Sequence, residues 1–386
     1  MVDAVYLDNN ATTPLAPEAL AEMLPWLEGQ FGNAGSAHAL GRLAEGAVVV
    51  ARERTAALLG CVPAELVFNS GGTEGINHAL RGVFEAQPGK RHLVTSAVEH
   101  SAVLAVCEDL RRKGAEVTVL PVDGEGRPDP AALEAALRPD TSLVSLMAAN
   151  NETGVLLPLE EAARIVKGRG ILLHVDATQA LGKVPFDLSR LPADLVNFSA
   201  HKFHGPKGVG GLFIRRGLRL RPFMTGGGQE RGRRGGTLNV PGIVGLGRAA
   251  ELALAHLPDM ARVAALRDRL EAFVLARIPG SRVNGGGAPR LPNTSMISFR
   301  EVEGEAVLLR LDQAGICVST GSACSTGQRE PSHVLRAMGV DPAEALGSVR
   351  FSLSRYTTEA GIARLEEILP GILEELRAQG PLGRRF

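Results

Sequence analysis

The chain has 386 residues, and its 42 basic and 42 acidic side chains give a formal net charge of zero. This length exceeds what one hydrophobic core usually serves, so two domains are expected. The even charge disfavours nucleic acids and anionic membranes as partners, because proteins that bind them usually carry a basic excess. Hydrophobic residues at 45% and charged residues at 22% are typical of an ordinary globular protein.

The N-terminal stretch MVDAVYLDNNATTPL has neither the basic region nor the apolar stretch of a secretory signal. No apolar run approaches the roughly 20 residues that a transmembrane helix needs. The four cysteines are widely spaced and form no CxxC pair, which argues against a disulfide framework or a zinc site. We therefore expect a cytoplasmic protein without a membrane segment or an intrinsic metal site.

Short apolar runs alternate with helical patterns from about residue 90 to residue 215. The predicted strands of this region are 92–96, 116–120, 143–148, 171–176, 194–199 and 209–214. Helix-like stretches such as SAVLAVCEDLRRKG separate several of them, and a glycine closes each stretch as a helix C-cap would. Nearly continuous apolar strands separated by helices indicate an α/β fold with a mostly parallel sheet that is covered on both faces.

The pattern changes after residue 240. Residues 242–257 and 260–278 are predicted helices, TSMISF and SVRFSLS alternate as strands do, and a long helical pattern follows them. We expect a large domain over residues 13–259 and a smaller α+β domain over residues 260–386, to which residues 1–12 are assigned as well.

Two charged side chains follow apolar strands of the predicted sheet. Asp176 ends the strand ILLHVD, and Lys202 lies in the loop SAHKFHGPKGVG that follows DLVNFS. Parallel strands bring their carboxyl ends to one rim, where ligands bind in such folds, so both side chains are expected there. The chain has only six lysines against 36 arginines, and lysine, unlike arginine, can lose its proton and attack a carbonyl. The pair suits pyridoxal 5′-phosphate (PLP): the lysine would bind the aldehyde, and the carboxylate would keep the ring nitrogen protonated. A structural ion pair between Asp176 and Lys202 explains the two residues equally well.

A glycine turn between a strand and a helix, in FNSGGTEGINHALRGVF, offers a site for the phosphate of such a cofactor. Gly72 and Thr73 stand at the predicted helix N-terminus, where free backbone amides and the positive end of the helix dipole attract anions. Ser199 and His201 lie close to Lys202 in the sequence and could add a hydroxyl and an imidazole donor. Glycine turns of this kind are common, so this motif alone is weak support.

His100, in TSAVEHSAVL, follows a strand and opens a helix at the same predicted rim. Alone, it is better explained as a helix-start histidine without chemistry. Beside PLP, its imidazole could stack on the ring and move protons near neutral pH. His201 and His204 are three residues apart, but without a third ligand nearby a metal site is disfavoured.

Eight motifs, in order along nearly the whole chain, resemble those of the cysteine desulfurases in the NifS/IscS-like group of class V PLP-dependent enzymes. They are YLDNNATTPL, SGGTE, EHSAVL, NNETGV, HVDATQALGKV, SAHKFHGPKGVG, GGGQERGRRGGTLNV and VSTGSACS. The resemblance implies the PLP-dependent aminotransferase-like fold (fold type I) and a homodimer. It also implies conversion of L-cysteine to L-alanine, with the sulfur kept on the enzyme as a persulfide.

The resemblance further implies roles for individual residues. Lys202 matches the Schiff-base lysine, His100 the histidine that stacks on the cofactor, and Asp176 the partner of the pyridinium nitrogen. Arg350, in SVRFSLS, matches the arginine that holds the substrate carboxylate, and Cys324, in GSACS, matches the persulfide-forming cysteine. The other matched positions are Gly72, Thr73, Ser199 and His201 at the phosphate, Thr237 at the phosphate of the other subunit, Gln179 at the phenolic oxygen, and Asn151 beside the cofactor and the substrate.

The residue types around Cys324 agree with this role. Its neighbours are small, and a thiol on such a segment can reach a substrate sulfur and then carry it elsewhere. A buried packing cysteine explains Cys317, Cys61 and Cys107 better than it explains Cys324. Cys324 could also be a transient ligand of an iron–sulfur cluster.

Two alternatives stay open. Another class V PLP enzyme, such as a selenocysteine lyase or an aminotransferase, would need the same cofactor, although an aminotransferase has no use for the GSACS cysteine. A non-catalytic scaffold should have lost Lys202, Asp176 or Cys324, and all three are present. The sequence does not specify the sulfur acceptor, such as an iron–sulfur scaffold protein or a tRNA-thiolation factor. The sulfur would supply iron–sulfur clusters, tRNA thiolation or cofactor biosynthesis.

Overall fold

The computed structural model describes residues 4–321 and 330–379. Within these ranges no helix is both long and apolar enough to cross a bilayer. The strands are β1 (Val5–Tyr6), β2 (Leu66–Asn69), β3 (His92–Ser96), β4 (Glu116–Leu120), β5 (Thr141–Met147), β6 (Leu172–Asp176), β7 (Leu195–Ser199), β8 (Gly210–Ile214), β9 (Ser281–Asn284), β10 (Thr294–Phe299), β11 (Ile316–Cys317), β12 (Ser319–Thr320) and β13 (Ser348–Ser352). The helices are α1 (Pro17–Glu28), α2 (Ala39–Leu59), α3 (Gly72–Ala86), α4 (Ser101–Arg112), α5 (Pro130–Ala136), α6 (Leu159–Gly168), α7 (Val240–Ala255), α8 (Met260–Arg277), α9 (Gly304–Gln313), α10 (His333–Ala337), α11 (Pro342–Leu346) and α12 (Glu359–Gln379).

A seven-stranded sheet in the order β2-β8-β7-β6-β5-β3-β4 forms the centre of the larger part of the chain. All six strands predicted between residues 92 and 214 are present, with ends that differ by at most two residues. The strands from β3 to β7 run parallel to one another, whereas β8 runs antiparallel to both β7 and β2. The sheet is therefore mostly parallel, as the apolar strand pattern predicts.

Helices cover both faces of this sheet. Neighbouring residues of one strand point to opposite faces, and the apolar clusters follow that alternation. Leu195 packs in the cluster that contains residues of α3 and α4, while Val196 packs in the cluster that contains residues of α2, α6 and α7. Burial on both faces is the reason why these strands are nearly continuous apolar runs.

A second, four-stranded sheet in the order β12-β13-β10-β9 is antiparallel throughout. Its apolar residues, such as Phe299 and Phe351, pack against Leu270 of α8 and Leu365 of α12. The N-terminal segment joins this part, because β1 pairs with β11 and Leu7 is buried in the same cluster. These contacts are consistent with a small domain over residues 1–12 and 260–386, and its boundaries stay a prediction.

Candidate active site

A cavity of about 370 Å³ lies at the carboxyl ends of β5, β6 and β7, whose last residues Met147, Asp176 and Ser199 line it. Most of the predicted site residues share its walls, although they come from both parts of the chain. Those that line the cavity are Gly72, Thr73, His100, Asn151, Asp176, Gln179, Ser199, His201, Lys202 and Arg350. Thr237 is exposed and does not line this cavity. Cys324 lies outside the described residues.

Lys202 ends a 3₁₀ turn, Ala200–Lys202, directly after β7. Its Nζ donates hydrogen bonds to the backbone carbonyls of Asn10 at 2.6 Å and Ala11 at 2.8 Å. Burial lowers the pKa of Lys202 to about 8, and the positive charge of Arg350 adds to this effect. The amine therefore loses its proton near neutral pH far more readily than an ordinary lysine, as attack on a carbonyl requires.

Asp176 is buried at the end of β6. Its Oδ1 accepts hydrogen bonds from the backbone N–H of Thr178 at 3.0 Å and from Nδ2 of Asn197 at 2.9 Å. The Asn197 amide is held in turn by His174, whose Nε2 lies 2.7 Å from Asn197 Oδ1. No donor among the described residues reaches Oδ2 of Asp176. That oxygen is available to a protonated ring nitrogen in the cavity, which is the partner that the PLP hypothesis assigns to it.

The N-terminus of α3 forms a cradle that glycine keeps open. Gly71, its N-cap, has a φ of 143°, which favours glycine, and no side chain caps the helix. A Cβ at Gly71 would lie 3.3 Å from Ser199 Oγ, and one at Gly72 would lie 3.1 Å from Thr178 Oγ1. A second cavity of about 370 Å³ shares Gly72 and Ser199 with the first, and Lys207 is among the residues that line the second cavity. Free backbone amides, a hydroxyl and a nearby cation are a donor set that fits a phosphate group.

His201 also lines both cavities. Burial lowers its pKa to about 4, and the charges of Lys202, Lys207 and Lys183 act in the same direction. Its Nδ1 lies 3.1 Å from Thr12 Oγ1. At neutral pH this ring is therefore an uncharged hydrogen-bonding group.

His100 is the N-cap of α4, and its Nδ1 accepts a hydrogen bond from the backbone N–H of Ala102 at 3.1 Å. This contact uses the Nδ1 lone pair, so the neutral ring carries its proton on Nε2. Burial lowers the pKa of His100, the Asp176 carboxylate opposes this effect, and the Lys202 cation adds to it. His100 is therefore neutral at neutral pH, with Nε2–H as a donor.

Arg350 is buried on β13 and connects three segments of the site. Its Nη1 donates to the backbone carbonyl of Asn151 at 3.1 Å, and its Nη2 pairs with Asp8 Oδ1 at 2.7 Å. Its Nε is buried without a hydrogen-bond partner among the described residues. An unpaired buried donor is costly, and a carboxylate ligand is one means of satisfying a guanidinium. The arrangement fits an arginine that binds a carboxylate substrate.

Two polar residues of the site were not identified from the sequence. Asn10 is buried, and its backbone carbonyl accepts hydrogen bonds from both Lys202 and Gln179. Lys183 is buried beside them and contacts Gln179. A signal was present for both, because Asn10 lies in the motif YLDNNATTPL and Lys183, one of the six lysines, lies in HVDATQALGKV.

Glu99, next to His100, is a further buried polar residue behind the cavity. Its Oε1 accepts hydrogen bonds from Ser96 Oγ at 2.7 Å and from the backbone N–H of Met147 at 2.9 Å. Burial raises the pKa of Glu99 to about 8 despite these two donors, and the charge of Asp176 acts in the same direction. Glu99 is the first residue of the motif EHSAVL, so the same kind of signal was present for it as for Asn10 and Lys183.

Comparison with known proteins identifies the family. The family model described as aminotransferase class-V matches residues 5–365. The cysteine desulfurase of Trichormus azollae is 53% identical over 381 residues, which are 98% of this chain and 95% of that protein. The cysteine desulfurase of Cereibacter sphaeroides is 53% identical over 384 residues, 99% of each chain.

The solved structure of a NifS-like protein superposes with a TM-score of 0.91 at 42% identity and covers 97% of this chain and 100% of that one. The family predicted from the eight motifs and the predicted fold class are therefore confirmed. The chain belongs to the aminotransferase class-V family.

Proposed function

We propose that this protein is a cysteine desulfurase that uses PLP to convert L-cysteine into L-alanine and an enzyme-bound persulfide. The observation that carries the proposal is a single cavity containing a lysine of lowered pKa, a buried carboxylate, a helix N-terminus kept open by glycine, and an arginine. Relatives named cysteine desulfurase, about half identical over nearly the whole chain, support it. When bound, PLP supplies an electron sink for the bonds that break in the substrate.

The residues that would hold the cofactor follow from the walls of the two cavities. The carboxylate of Asp176 would face the ring nitrogen, and His100 would lie against the ring. The remaining contacts would be Lys202 at the aldehyde carbon, Gln179 at the phenolic oxygen, Asn151 beside the ring, and Gly72, Thr73, Ser199 and His201 at the phosphate.

Lys202 would move a proton, whereas His100 would donate a hydrogen bond. Lys202, once its amine is free, would accept the Cα proton at Nζ, because its lowered pKa leaves that nitrogen able to take up and return a proton near neutral pH. His100 has its Nδ1 engaged by Ala102, so the Nε2–H of the neutral ring can donate a hydrogen bond to a bound group, but Nε2 cannot accept a proton. This geometry suits orientation of the cofactor or the substrate better than activation of a thiol.

The substitution Arg350→Lys should mainly weaken cysteine binding. A lysine keeps the charge but cannot form the two parallel hydrogen bonds of a guanidinium with a carboxylate. Loss of a charged hydrogen bond costs about 1.5–3 kcal/mol, so KM should rise by about one to two orders of magnitude. Steady-state kinetics would measure the change, with Arg282→Lys, an exposed arginine on β9 of the same sheet, as the control. An unchanged KM and kcat in Arg350→Lys would refute the role.

The homodimer is supported by the surface around α1 and α2. Leu24, Leu27 and Leu43 are exposed on these helices, and Phe31, which lies between the helices in the sequence, is 79% exposed, which is unusual for large apolar side chains. Thr237 lines neither cavity of its own chain, so a role at the phosphate requires the site of a second subunit.

Subunit exchange tests this arrangement. Lys202→Ala should be inactive, and Thr237→Ala should bind PLP weakly. After random exchange, about a quarter of the parental activity should return, because half of the dimers are mixed and each mixed dimer has one intact site. Sedimentation that shows an active monomer would rule the homodimer out.

The function itself is tested by the products. One persulfide should form on the protein for each alanine released from L-cysteine, as mass spectrometry and amino-acid analysis would measure. An aminotransferase would form a keto acid instead, and a selenocysteine lyase would turn over L-selenocysteine but leave L-cysteine unchanged.

The same assay with an iron–sulfur scaffold protein or a tRNA-thiolation factor added would identify the sulfur acceptor by transfer of the persulfide sulfur.

A further inference from the structure

Lys183 is a buried lysine beside the cavity, and the proposed chemistry gives this residue no role. It lies in the turn after β6, and only 7% of its surface is exposed. Its Nζ donates hydrogen bonds to Gln179 Oε1 at 2.6 Å and to Asn10 Oδ1 at 3.0 Å. Both acceptors are uncharged amide oxygens, and within the described ranges no carboxylate pairs with Lys183. A buried ammonium in such surroundings is costly, so the residue needs an explanation.

The surroundings of Lys183 favour a neutral amine. Burial lowers its pKa well below the usual value, and the positive charges of Lys202 and Arg350 lower it further. A neutral amine has two N–H donors, and the two amide oxygens accept both of them. Both donors of the neutral Lys183 amine are therefore satisfied without a counter-ion.

The contact also decides which way the Gln179 amide faces. Gln179 Nε2 donates one hydrogen to the backbone carbonyl of Asn10 at 2.9 Å, while its Oε1 accepts from Lys183. A flipped amide would set Oε1 against that carbonyl, with two acceptors facing each other. The second Nε2 hydrogen has no acceptor among the described residues, and Gln179 lines the cavity. Gln179 thus offers a donor to a bound ligand.

Asn10 ties this arrangement to Lys202. Its Oδ1 accepts from Lys183 and from Asn293 Nδ2 at 3.1 Å, so its own Nδ2 turns toward the backbone carbonyl of Asn151, 3.1 Å away. Its backbone carbonyl accepts from Lys202 and Gln179 together. The lysine that would bind the cofactor and the amide that would contact it therefore share one anchor.

We propose that Lys183 is a positioning residue that holds the Gln179 amide with its nitrogen toward the cavity, so that Gln179 donates a hydrogen bond to the phenolic oxygen of PLP. The inference rests on the proposed function for the identity of the cofactor. A hydrogen-bond donor at that oxygen stabilises negative charge on it. This lowers the pKa of the ionisation that changes the colour of the bound cofactor.

The test is Lys183→Met in the purified holoenzyme, since methionine has nearly the same length but no donor. We expect borohydride still to fix the cofactor at Lys202, the pKa of the visible absorption band to rise, and kcat to fall by about tenfold, with a smaller change in KM. Lys113→Met, an exposed lysine at the end of α4, is the matched control and should behave as the parent. Thermal melting would show whether each variant is folded.

A double-mutant cycle separates positioning from a general structural effect. In Gln179→Leu the amide is absent, so adding Lys183→Met should cause no further change in the pKa of the band. A folded Lys183→Met variant with an unchanged band, or an effect that persists in full in the Gln179→Leu background, would overturn the proposal. If Lys183→Met does not fold, Lys183→Gln is the second variant, because glutamine keeps a donor but its side chain is shorter. It should raise the pKa of the band in the same way, and an unchanged pKa of the band in this variant would count against the role. A parent that borohydride does not label at Lys202 would instead refute the proposed function.

Discussion

Lys202→Arg is expected to lose cysteine turnover by about a thousandfold or more, although it keeps the positive charge. An arginine cannot lose its proton, so it can neither bind the aldehyde of PLP nor return a proton to the substrate. In the parent, borohydride treatment should fix the cofactor to the peptide that contains Lys202, and peptide mapping would locate it. Lys113→Arg, at an exposed position, should leave turnover unchanged.

The pH dependence of cofactor uptake gives an independent measurement. Only the unprotonated amine attacks the aldehyde, and the pKa of Lys202 is lowered to about 8. Uptake of PLP by the apoprotein should therefore accelerate as the pH rises toward 8 and level off above it. The pKa of the buried Lys183 is lowered as well, so a borohydride label there instead of at Lys202 would contradict the assignment.

The position of Lys202 and Asp176 could be predicted because it depends on local pattern and on one topological rule. Apolar runs of strand length mark β6 and β7, and parallel strands bring their carboxyl ends to one edge. Asp176 and Ser199 are the last residues of these strands, and both line the cavity. Only β8 runs against this pattern, and an apolar run carries no information about strand direction.

The electrostatics of the site could not be predicted in this way. The pKa of Lys202 depends on its burial and on Arg350, which lies in the other part of the chain. Arg350 itself is held by Asp8, more than three hundred residues away in the sequence. The contacts of Asn10 with Gln179 and Lys183 also join distant parts of the sequence, because they form only when the N-terminal segment packs against the turn after β6. Motif resemblance indicates which residues matter, and the folded chain is needed to show their protonation and orientation.

Cys324→Ala is the second substitution with a large expected effect. The other three cysteines are poor nucleophiles for physical reasons. Burial raises the pKa of Cys61 and of Cys107 to about 12, and it raises the pKa of Cys317 as well. A thiol with a pKa near 12 has fewer than about one thiolate in ten thousand molecules at neutral pH. We therefore expect sulfur transfer to use a different cysteine. The resemblance of the GSACS motif implies that it is Cys324, which lies outside the described residues.

The reaction of Cys324 balances without an external oxidant or reductant. In the proposed reaction the thiolate would attack the substrate sulfur and the carbon–sulfur bond would break. The electron pair of that bond would pass to the substrate carbon, which would take up a proton to become alanine. Without the thiol the substrate sulfur has no acceptor, so Cys324→Ala should bind PLP and turn yellow as the parent does. It should release alanine at least about a hundredfold more slowly and carry no persulfide in mass spectra. Cys317→Ala is the matched control and should keep most of the turnover. If Cys324→Ala formed alanine and sulfide at the parental rate, a simple PLP-dependent lyase would explain the cavity better than a desulfurase.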